Sequence, residues 1–508
     1  MNPVLCGLAV NPALPFELVD RLVSVADADV AECLTDRAGL GRAQAVVLAS
    51  RFVENAVPLV YEGLLSAADV DPVVWPHAAL ALLDTGSGDP EWARLFAADP
   101  DVERRRKLAE CRGLPPDVVE MLAVDLDVCV VAELALWASA DLAVRLARHP
   151  HAEVRRAVAA NEATPPEVLA MLITGEGLPA AERCLVCERE ETPFVHDPQC
   201  GRLDCDLPAG ASCTGLHEST TLETVQLALE NPATPPDAVV RFADHPSAPV
   251  RCRVAVRPGL PPEVWARLAG DPVPCVRACL AGNPAIGEDL MRALEADHGH
   301  DVRHRLAHNP RVPLDALSRL AGAVKTGSAL LPRIAAASPA EVEELARSSY
   351  PAVRALLAMR RDLPDGIRDA LAEDPDVRVV RSVAPHPGLS EAQLRGMVVR
   401  HGVQVMSKVA ANPDAPPGLL EDLATRVPPV RSALREIARH RNATGAALVA
   451  CLEDGRARLS AAGHPALGPS VLVGLLADED DRVVEAAAAN PSLPVDVMRE
   501  LVPDPGGA

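Results

Sequence analysis

A short motif that returns every 26 residues constrains the fold of this chain more than any other feature. It opens with Asn-Pro at Asn231, Asn283 and Asn309, and the unit between the first two begins at Arg257. Less regular units begin at Asn11, Cys111, Ala135, Asn161, Ala335, Arg360, His386, Asn412, Arg441, His464 and Asn490. A period of this length is typical of a solenoid, in which each unit packs only on its neighbours.

The chemistry inside each unit predicts two short helices. The Asn that precedes Pro is pushed out of the helical region, so it ends the preceding helix. The pair Pro261-Pro262 fits the first turn of a new helix, where a missing N–H costs little. Val264 and Leu268 then place an apolar stripe on one helical face, and a second segment repeats it. We therefore expect an all-α fold, a right-handed-type α-solenoid of about 18 repeats of about 24–26 residues.

The shared pattern is specific enough to suggest a family. It reads N-P-x-x-P-P-x-x-V/L-x-x-L-A-x-D, followed by V-R-x-x-V/L-A, and is clearest over residues 231–309, 360–426 and 464–502. It resembles the leucine-rich repeat variant family of HEAT-like α-helical repeat proteins. The resemblance implies repeats that pair an α-helix with a 3₁₀-helix. It implies a fold and no particular function, because solenoids host unrelated roles.

An arginine recurs at one position of the repeat. The column comprises Arg155, Arg251, Arg277, Arg303 and Arg354, with Arg435 and Arg458 in less regular units. One interpretation is a basic surface that binds phosphate groups or an acidic peptide. The other is a structural ladder, in which each guanidinium bonds an acidic residue or a carbonyl of its own or the adjacent unit. Asp244, Asp271 and Asp297 precede their arginines by six or seven residues. We favour the ladder, because a half-buried Arg is usually paired.

Charge and hydropathy disfavour several classes of function. The 71 Asp and Glu residues against 49 Lys and Arg residues give a net charge of −22, which disfavours nucleic acid and favours a basic protein or peptide as partner. No run of 18 or more uncharged apolar residues occurs, so we expect no membrane span. The N-terminal residues lack the basic start of a secretory signal, so we expect a cytoplasmic protein with reduced cysteines. The sequence has no phosphate-binding loop or common hydrolase motif, which gives an enzyme little support.

Five cysteines cluster in an insertion between two repeats. Seventy residues separate Asn161 from Asn231, where one unit would occupy 26, and the surplus sequence is polar and rich in Pro and Gly. A C-x2-C pair and further thiols can converge on one metal ion, whose binding would supply the ordering energy of such a loop. The predicted ligands are Cys184, Cys187, Cys200 and Cys205, with Cys213 or His196 as a substitute for the fourth.

The identity of the metal stays open at this point. Four thiolates suit zinc or an iron–sulfur cluster, and the spacing leads us to favour zinc. The alternative, a [4Fe–4S] cluster, is implied by the resemblance, since some leucine-rich repeat variant proteins carry such a cluster in an N-terminal four-cysteine domain. The predicted organisation is helical repeats over residues 1–175, the metal-binding insert over 176–220, the main solenoid over 221–502 and a tail over 503–508.

Two weaker groupings of side chains carry less information. Four histidines between residues 298 and 308 include three at four-residue spacing, which we interpret as a solvent- or partner-facing stripe in preference to a metal site. Cys275 and Cys279 are also four residues apart, and we interpret them as ordinary packing in an Ala-rich helix.

These observations together predict a non-enzymatic protein-interaction scaffold with a structural, zinc-bound insert. One alternative is a redox or iron-responsive repeat protein built around an iron–sulfur cluster. A second is a nucleic-acid-binding or repair protein, which would need the arginine column to be exposed and unpaired.

Overall fold

The computed structural model describes residues 2–185, 218–324, 327 and 329–504, and the regular structure of these residues is helical. The exception is one isolated bridge, between His151 and Arg183. The predicted all-α fold of short helical repeats is confirmed. The chain divides into two compact units, which we call the terminal unit (Met1–Val70 and Ala337–Ala508) and the middle unit (Asp71–Ala336). The predicted domain boundaries at residues 175 and 220 fall inside the middle unit and stay predictions.

The described helices of the middle unit are short, and most have eight or nine residues. They are α6 (Pro76–Asp84), α7 (Pro90–Ala97), α8 (Val102–Glu110), α9 (Pro116–Ala123), α10 (Val128–Leu136), α11 (Ala140–Leu146), α12 (Ala152–Ala160), α13 (Pro166–Thr174), α14 (Glu218–Glu230), α15 (Pro236–Val240), α16 (Ala248–Ala255), α17 (Pro262–Ala269), α18 (Pro274–Ala281), α19 (Glu288–Glu295), α20 (His300–Ala307), α21 (Leu314–Ala323) and α22 (Pro332–Ala335).

The terminal unit is built from both ends of the chain. Its helices are α1 (Pro3–Val10), α2 (Phe16–Val25), α3 (Ala28–Thr35), α4 (Arg42–Arg51), α5 (Ala56–Tyr61), α23 (Pro339–Ala346), α24 (Pro351–Leu357), α25 (Asp365–Ala372), α26 (Val377–Val383), α27 (Glu391–His401), α28 (Val403–Ala410), α29 (Pro417–Ala424), α30 (Arg431–Ile437), α31 (Gly445–Cys451), α32 (Arg458–Ala462), α33 (Pro469–Leu475), α34 (Asp481–Ala488) and α35 (Val495–Leu501). Among all the described helices, none is long and apolar enough to cross a bilayer.

Prolines and capping side chains explain where the helices begin. Helix α17 starts at Pro262, whose missing N–H would have no partner in the first turn, and Pro261 precedes it in an extended conformation. Helix α10 follows Asp127, whose carboxylate accepts a 2.8 Å hydrogen bond from the Cys129 N–H. In the described ranges the one 3₁₀-helix is Val53–Asn55, so the pairs such as α17 and α18 consist of two α-helices. Eight residues suffice for regular i to i−4 hydrogen bonds, and these pairs do not show the α-plus-3₁₀ pairing that the resemblance implies.

The core consists of thin layers of small and branched apolar side chains. Val264 and Leu268 of α17 are almost fully buried, and Val276, Leu280 and Ala281 of α18 have no exposed surface. The predicted stripes therefore face the neighbouring repeats. Each layer stays thin because two eight-residue helices offer only a few core positions, so the stability of one repeat depends on its neighbours.

A ladder of buried side-chain amides joins each repeat to the one before it. The Nδ2 of Asn283 donates to the carbonyl oxygens of Ala255 and Arg257 at 2.8 and 3.0 Å, and its Oδ1 accepts from the N–H of Ala285 at 2.9 Å. Donation from Nδ2 to two carbonyls of the preceding repeat recurs at Asn161, Asn231, Asn309, Asn412 and Asn490. The Asn of Asn-Pro therefore does more than end a helix: it pairs carbonyls that helix ends leave without partners.

The ladder passes directly across the long gap in the repeat pattern. Asn231 donates to the carbonyls of Ala159 and Asn161 at 3.2 and 2.9 Å, although 70 residues separate Asn231 from Asn161. Helix α14 packs on α12 and α13, as the next repeat would. The repeat before residue 185 and the repeat after residue 218 are therefore neighbours in the stack.

Within the terminal unit, the first repeat of the sequence stacks on the last. Asn11 donates to the carbonyls of Ala488 and Asn490, both at 2.8 Å, in the same pattern as the other ladder residues. Helix α1 packs on α34, and this approach requires glycine at position 7, since a Cβ there would lie 2.6 Å from the Cβ of Ala488. The two ends of the sequence therefore form one continuous stack.

Candidate interaction groove

A groove in the middle unit lies where three successive repeats turn from one to the next. Residues 111–114, 136–139 and 160–163 line it, together with Val119 of α9 and Leu142 of α11. Its volume is about 670 Å³, within the ~300–1,000 Å³ that is typical of ligand pockets. The groove can therefore hold a large side chain or a short stretch of peptide.

Small residues keep the groove open, and the ladder fixes its base. Gly113 has a φ of 73°, a conformation that favours glycine, and Ala138 and Ala163 add little bulk. Asn161 lies at the base and donates to the carbonyls of Ala135 and Ala138, both at 2.9 Å. The wall is thus anchored by buried hydrogen bonds and does not depend on a partner for its shape.

Trp137 is the dominant side chain of the groove. Half of the Trp137 surface (50%) is exposed, which is unusual because Trp has the largest apolar side chain. The chain has four Trp residues. The guanidinium of Arg112 lies over the ring, with Cζ 5.2 Å from the centroid, and the indole N–H donates to the Glu133 carboxylate at 3.4 Å. Contacts on two sides therefore hold the exposed ring in one position before any partner arrives.

The charges beside Trp137 are mixed, with carboxylates in the majority. Arg112 is the cation over the ring, while Glu133 and Glu162 supply negative charge. Glu162 is exposed and makes no ion pair with any described residue. Together with the net charge of −22, this carboxylate favours a positively charged segment along the groove.

Most of the predicted metal ligands lie outside the described residues. These are Cys187, His196, Cys200, Cys205 and Cys213. Cys184 is described and fully buried, next to the segment in which Arg183 O accepts from the Ala152 N–H at 2.8 Å. Among the described residues, no group of three or more His, Cys, Asp or Glu side chains could hold a metal ion. The four-cysteine ligand set stays a prediction.

The arginine column is a structural ladder, as favoured from the sequence. Arg277 makes a 2.6 Å ion pair through Nε with Asp297, twenty residues later, and its Nη1 donates to the carbonyl of Asp271 at 2.7 Å. The same two contacts, a carboxylate in the next repeat and a carbonyl six residues back, are made by Arg251 and Arg354. The pairing differs from the predicted one: the carboxylate of Asp271 binds Arg251, and Asp244 pairs with Arg267.

The remaining members of the column show how the ladder varies. Arg155 donates to the carbonyls of His149 and Pro179 at 2.6 and 2.7 Å, and Arg458 pairs with Asp478. Arg435 lies 3.7 Å from Asp454. Position 323, where Arg303 would find its Asp, is Ala, and the buried Nε of Arg303 has no hydrogen-bond partner among the described residues. Arg105 also belongs to the column and pairs with Asp125 at 2.7 Å, but the repeat pattern does not reveal it because its unit lacks the Val-Arg pair.

The pKa shifts agree with this pairing. The hydrogen bond to Asp297 raises the pKa of Arg277, and the same bond lowers the pKa of the Asp297 carboxyl. Burial acts to raise the pKa of Asp271, but the hydrogen bonds from Arg251 and from the Val273 N–H, together with the charges of Arg251 and Arg277, lower it overall. Both residues of each Arg–Asp ion pair, which we call a rung, therefore keep their charges. These arginines are committed to the fold.

The predicted histidine stripe is present as a stack of rings on α20. The ring centroids of His300 and His304 are 6.1 Å apart, and those of His304 and His308 are 4.4 Å apart. The Nδ1 of His308 is 2.9 Å from the carbonyl oxygen of His304. Burial lowers the pKa of His304, and the neighbouring His308 and His300 lower it further, so the stack favours a neutral His304 ring.

No family model matches the sequence, and no curated protein does. One solved structure, described as a leucine-rich repeat variant with a novel repetitive structural motif, is 22% identical over 47% of this chain and 85% of its own, with a TM-score of 0.28. It carries the family name suggested by the repeats. The chain resembles a leucine-rich repeat variant.

Two further solved structures are similar over most of the chain. An engineered protein is 15% identical over 96% of this chain and 98% of its own, with a TM-score of 0.14. A structure of the Pds5–Scc1 complex, discussed for cohesin function, is 13% identical over 93% of this chain and 66% of its own, with a TM-score of 0.16. Because these TM-scores are low, the description of the fold rests on the helix pairs and ladders of the chain itself.

Proposed function

We propose that the protein is an interaction scaffold and that the groove around Trp137 binds a basic segment of a protein partner through one large apolar side chain. The observation that carries the proposal is the half-exposed indole, fixed by Arg112 and Glu133 above an anchored wall. A fixed aromatic ring in a preformed groove is the usual composition of an interface hot spot.

The chemistry of the occupant follows from the lining. Apolar atoms of Leu114, Leu142 and the indole favour a large apolar side chain. The carboxylate of Glu162, which has no ion-pair partner among the described residues, and the acidic body favour Lys or Arg on either side of that side chain. The Glu162 carboxylate and the net negative charge of the protein would both repel an acidic segment.

Labelled short peptides test this proposal by fluorescence polarisation. The probe is a Lys- and Arg-rich peptide with a central Phe, compared with one whose Phe is Ala and one whose basic residues are Glu. Trp137→Ala should cost about 2 kcal/mol of binding free energy, roughly thirtyfold in Kd. Tyr350→Ala is the matched control, since Tyr350 is a 63% exposed aromatic residue in the terminal unit. Equal loss in both variants, or equal binding of the acidic peptide, would overturn the proposal.

For the cysteine-rich segment we propose a structural zinc site with Cys184, Cys187, Cys200 and Cys205 as ligands, and a [4Fe–4S] cluster as the alternative. Support comes from the thiol spacing, the chemistry of the donor set and the reducing cytoplasm in which we place the protein. Elemental analysis of anaerobically purified protein distinguishes the two: about one zinc per chain without colour, or iron with acid-labile sulfide and visible absorbance.

The nucleic-acid alternative has no comparable support. It requires arginines of the column to be free, yet Arg251, Arg277 and Arg354 are each held by a carboxylate and a carbonyl. Their charge is neutralised by the adjacent repeat, so it is not offered to a phosphate backbone.

A further inference from the structure

Three thiols from two adjacent repeats of the middle unit meet on one face. Cys252 belongs to α16, and Cys275 and Cys279 lie one turn apart on α18, which packs on α16. The Sγ of Cys252 is 3.7 Å from that of Cys275, and the Cys252 thiol also hydrogen-bonds Cys279. All three side chains are half-buried, so a small solute reaches them. The cluster is thus closer and more accessible than ordinary packing of an Ala-rich helix would require.

The repeat places Cys279 between two cations. Arg253 and Arg305 occupy the position of Cys279 in the preceding and the following repeat, 26 residues away on each side. Arg253 also pairs with Glu230 at 2.7 Å, whereas Arg305 is exposed and makes no ion pair with the described residues. The hydrogen bond from Cys252 lowers the pKa of Cys279; burial opposes this shift, and the charges of Arg305 and Arg253 add to it. The surroundings of Cys279 therefore favour its thiolate form.

We propose that Cys279 and Cys252 form a peroxide-reactive dithiol site, in which Cys279 is the nucleophile and Cys252 resolves it into a disulfide between adjacent repeats. The Cys279 thiolate attacks one oxygen of hydrogen peroxide, the O–O bond breaks, and a sulfenic acid forms while hydroxide leaves and takes up a proton. The Cys252 thiol then loses its proton, and its sulfur attacks Sγ of Cys279 and displaces the oxygen as water. Two thiols and one peroxide give one disulfide and two waters.

Geometry selects the bond between repeats over a bond within α18. Residues four apart on a helix have Cβ atoms about 5–6 Å apart, whereas a disulfide needs about 3.5–4.5 Å. Cys252, on the adjacent helix, has its Sγ 3.7 Å from that of Cys275 and also hydrogen-bonds Cys279, so its sulfur lies beside both residues of α18. Oxidation therefore fixes α16 to α18 and leaves the ladder of Asn283 in place.

A second thiol pair in the same chain provides an internal control. Cys6 and Cys33 of the terminal unit also hydrogen-bond each other, but burial raises the pKa of Cys6 to about 12, and Glu485 raises the pKa of both thiols. No cation is among the groups that shift this pair. The Cys6–Cys33 pair and the Cys252–Cys279 pair both bring two thiols together. Of these two pairs, only the one with Cys279 has cations beside it.

The experiment is a titration of the full-length protein with hydrogen peroxide, followed by blocking of remaining thiols and tryptic mapping. Trypsin separates the candidates, because Cys252 lies in the dipeptide 252–253, Cys275 in 268–277 and Cys279 in 278–292. We expect the 252–253 dipeptide linked to 278–292 after about one equivalent of peroxide. We also expect iodoacetamide to label Cys279 about tenfold faster than Cys33 at neutral pH.

Matched variants separate the roles of the three thiols. Cys279→Ser should abolish the cross-link, Cys252→Ser should leave Cys279 as a sulfenic or sulfinic acid, and Cys275→Ser should keep the cross-link. Labelling of Cys279 no faster than Cys33, or a cross-link that survives in Cys279→Ser, would overturn the proposal. Because the wild-type map requires no substitution, a variant that fails to fold does not affect that test.

Discussion

The terminal and middle units fill the same buried ladder position with different side chains. In the middle unit it holds Asn at four repeats and Arg257, which donates to the carbonyls of Asn231 and Thr234. In the terminal unit some repeats hold Asn and others hold a different donor. These other donors are His386, His440, His464, Arg37 and Arg360. All reach carbonyls of the preceding repeat. At these repeats a donor of sufficient reach fills the position, and its residue type varies.

The repeat position that holds the arginine rungs, unlike the ladder position, tolerates an apolar side chain. In the middle unit Arg251 and Arg277 carry ion-paired rungs in consecutive repeats, whereas in the terminal unit Arg354 is followed at the same position by Val380 and Met406, which are buried. An apolar side chain can replace the rung, but no apolar side chain replaces the donor at the ladder positions described above. We infer that the ladder matters more to stability than the rungs, and the following predictions test that order.

The largest expected effect is at the ladder. Asn412→Asp puts a carboxylate against the carbonyls of Ala384 and His386, which Asn412 now bonds at 2.6 Å, and should lower the local free energy of unfolding by about 3–5 kcal/mol. Asn283→Asp should have a similar effect in the middle unit. Hydrogen exchange of neighbouring helices measures both, and Asn2→Ala, an exposed cap, should cost only about 1 kcal/mol. Strongly unequal losses would show that the two ladders differ.

Breaking one rung should cost less. Arg277→Met leaves Asp297, whose side chain is 11% exposed, without its counterion, and should destabilise the repeat by about 2–3 kcal/mol. Arg277→Met with Asp297→Asn should recover most of the loss, as Met406 suggests. Because Arg277 lowers the pKa of Asp297, the wild-type rung contributes above the unfolded pKa of about 4 and is lost as pH falls below it. Hydrogen exchange against pH checks this, and no recovery in the double variant would contradict it.

The stacking of the two chain ends offers a steric test. Gly7→Ala puts a methyl group 2.6 Å from the Cβ of Ala488 and against the Glu485 carbonyl, and should destabilise α1 and α34 by about 2 kcal/mol. The matched control is Gly474→Ala, also within a helix but with open space around it, which should stabilise α33 by about 0.5–1 kcal/mol. Limited proteolysis near α1 would reveal the difference, and equal behaviour of the two variants would count against the stacking.

Substitution of a ladder histidine should produce a modest effect that depends on pH. Burial lowers the pKa of His386, so the folded state holds this ring neutral. Its contribution is present above the unfolded pKa of about 6.5 and is lost as pH falls through it toward the lower folded value. His386→Asn keeps a donor and removes the titration, so its melting temperature should fall less than that of the wild type between neutral and mildly acidic pH. An equal fall in melting temperature for the wild type and the variant over this pH range would refute this.

The smallest effect is expected at an exposed pair near the chain ends. Arg21 binds Asp504 at 2.8 Å, but the Asp504 side chain is 83% exposed. Asp504→Asn should change stability by no more than about 0.5 kcal/mol, because water and salt screen the pair. A loss comparable to that of Gly7→Ala, measured by the same proteolysis, would mean that this pair helps to hold the ends together.

The sequence predicts the periodic parts of the molecule better than its surface. The 26-residue period and the prolines place pairs such as α17 and α18 correctly, because each unit repeats the same local rules. The amide role of Asn283 was missed, since Asn before Pro also has a sufficient local explanation in ending a helix. Ladder donors that are not Asn, such as His386 and Arg257, lie at the same repeat spacing as the Asn residues. This spacing is the feature of the sequence that could have revealed the ladder.

The groove and the thiol cluster could not be predicted from local rules. The exposure of Trp137 depends on small residues from three repeats, such as Gly113 and Ala163, that are far apart in sequence. Cys252 and Cys279 meet because residues 27 apart come together when two repeats stack, so the four-residue spacing of Cys275 and Cys279 drew attention to the wrong pair. Their Arg neighbours are visible in the sequence only once the repeat register is known.

The stacking of Asn11 on Ala488 and Asn490 also bears on the order of events during synthesis. A ribosome makes residue 11 long before residue 488, so the hydrogen bonds across 477 and 479 residues cannot form until residue 490 has been made. Repeats between them can fold as they appear, since their contacts are local, whereas this contact has very high sequence separation. Helix α1 is thus covered by α34 only after the repeats between them have been made, and until then that face of α1 stays open to other contacts.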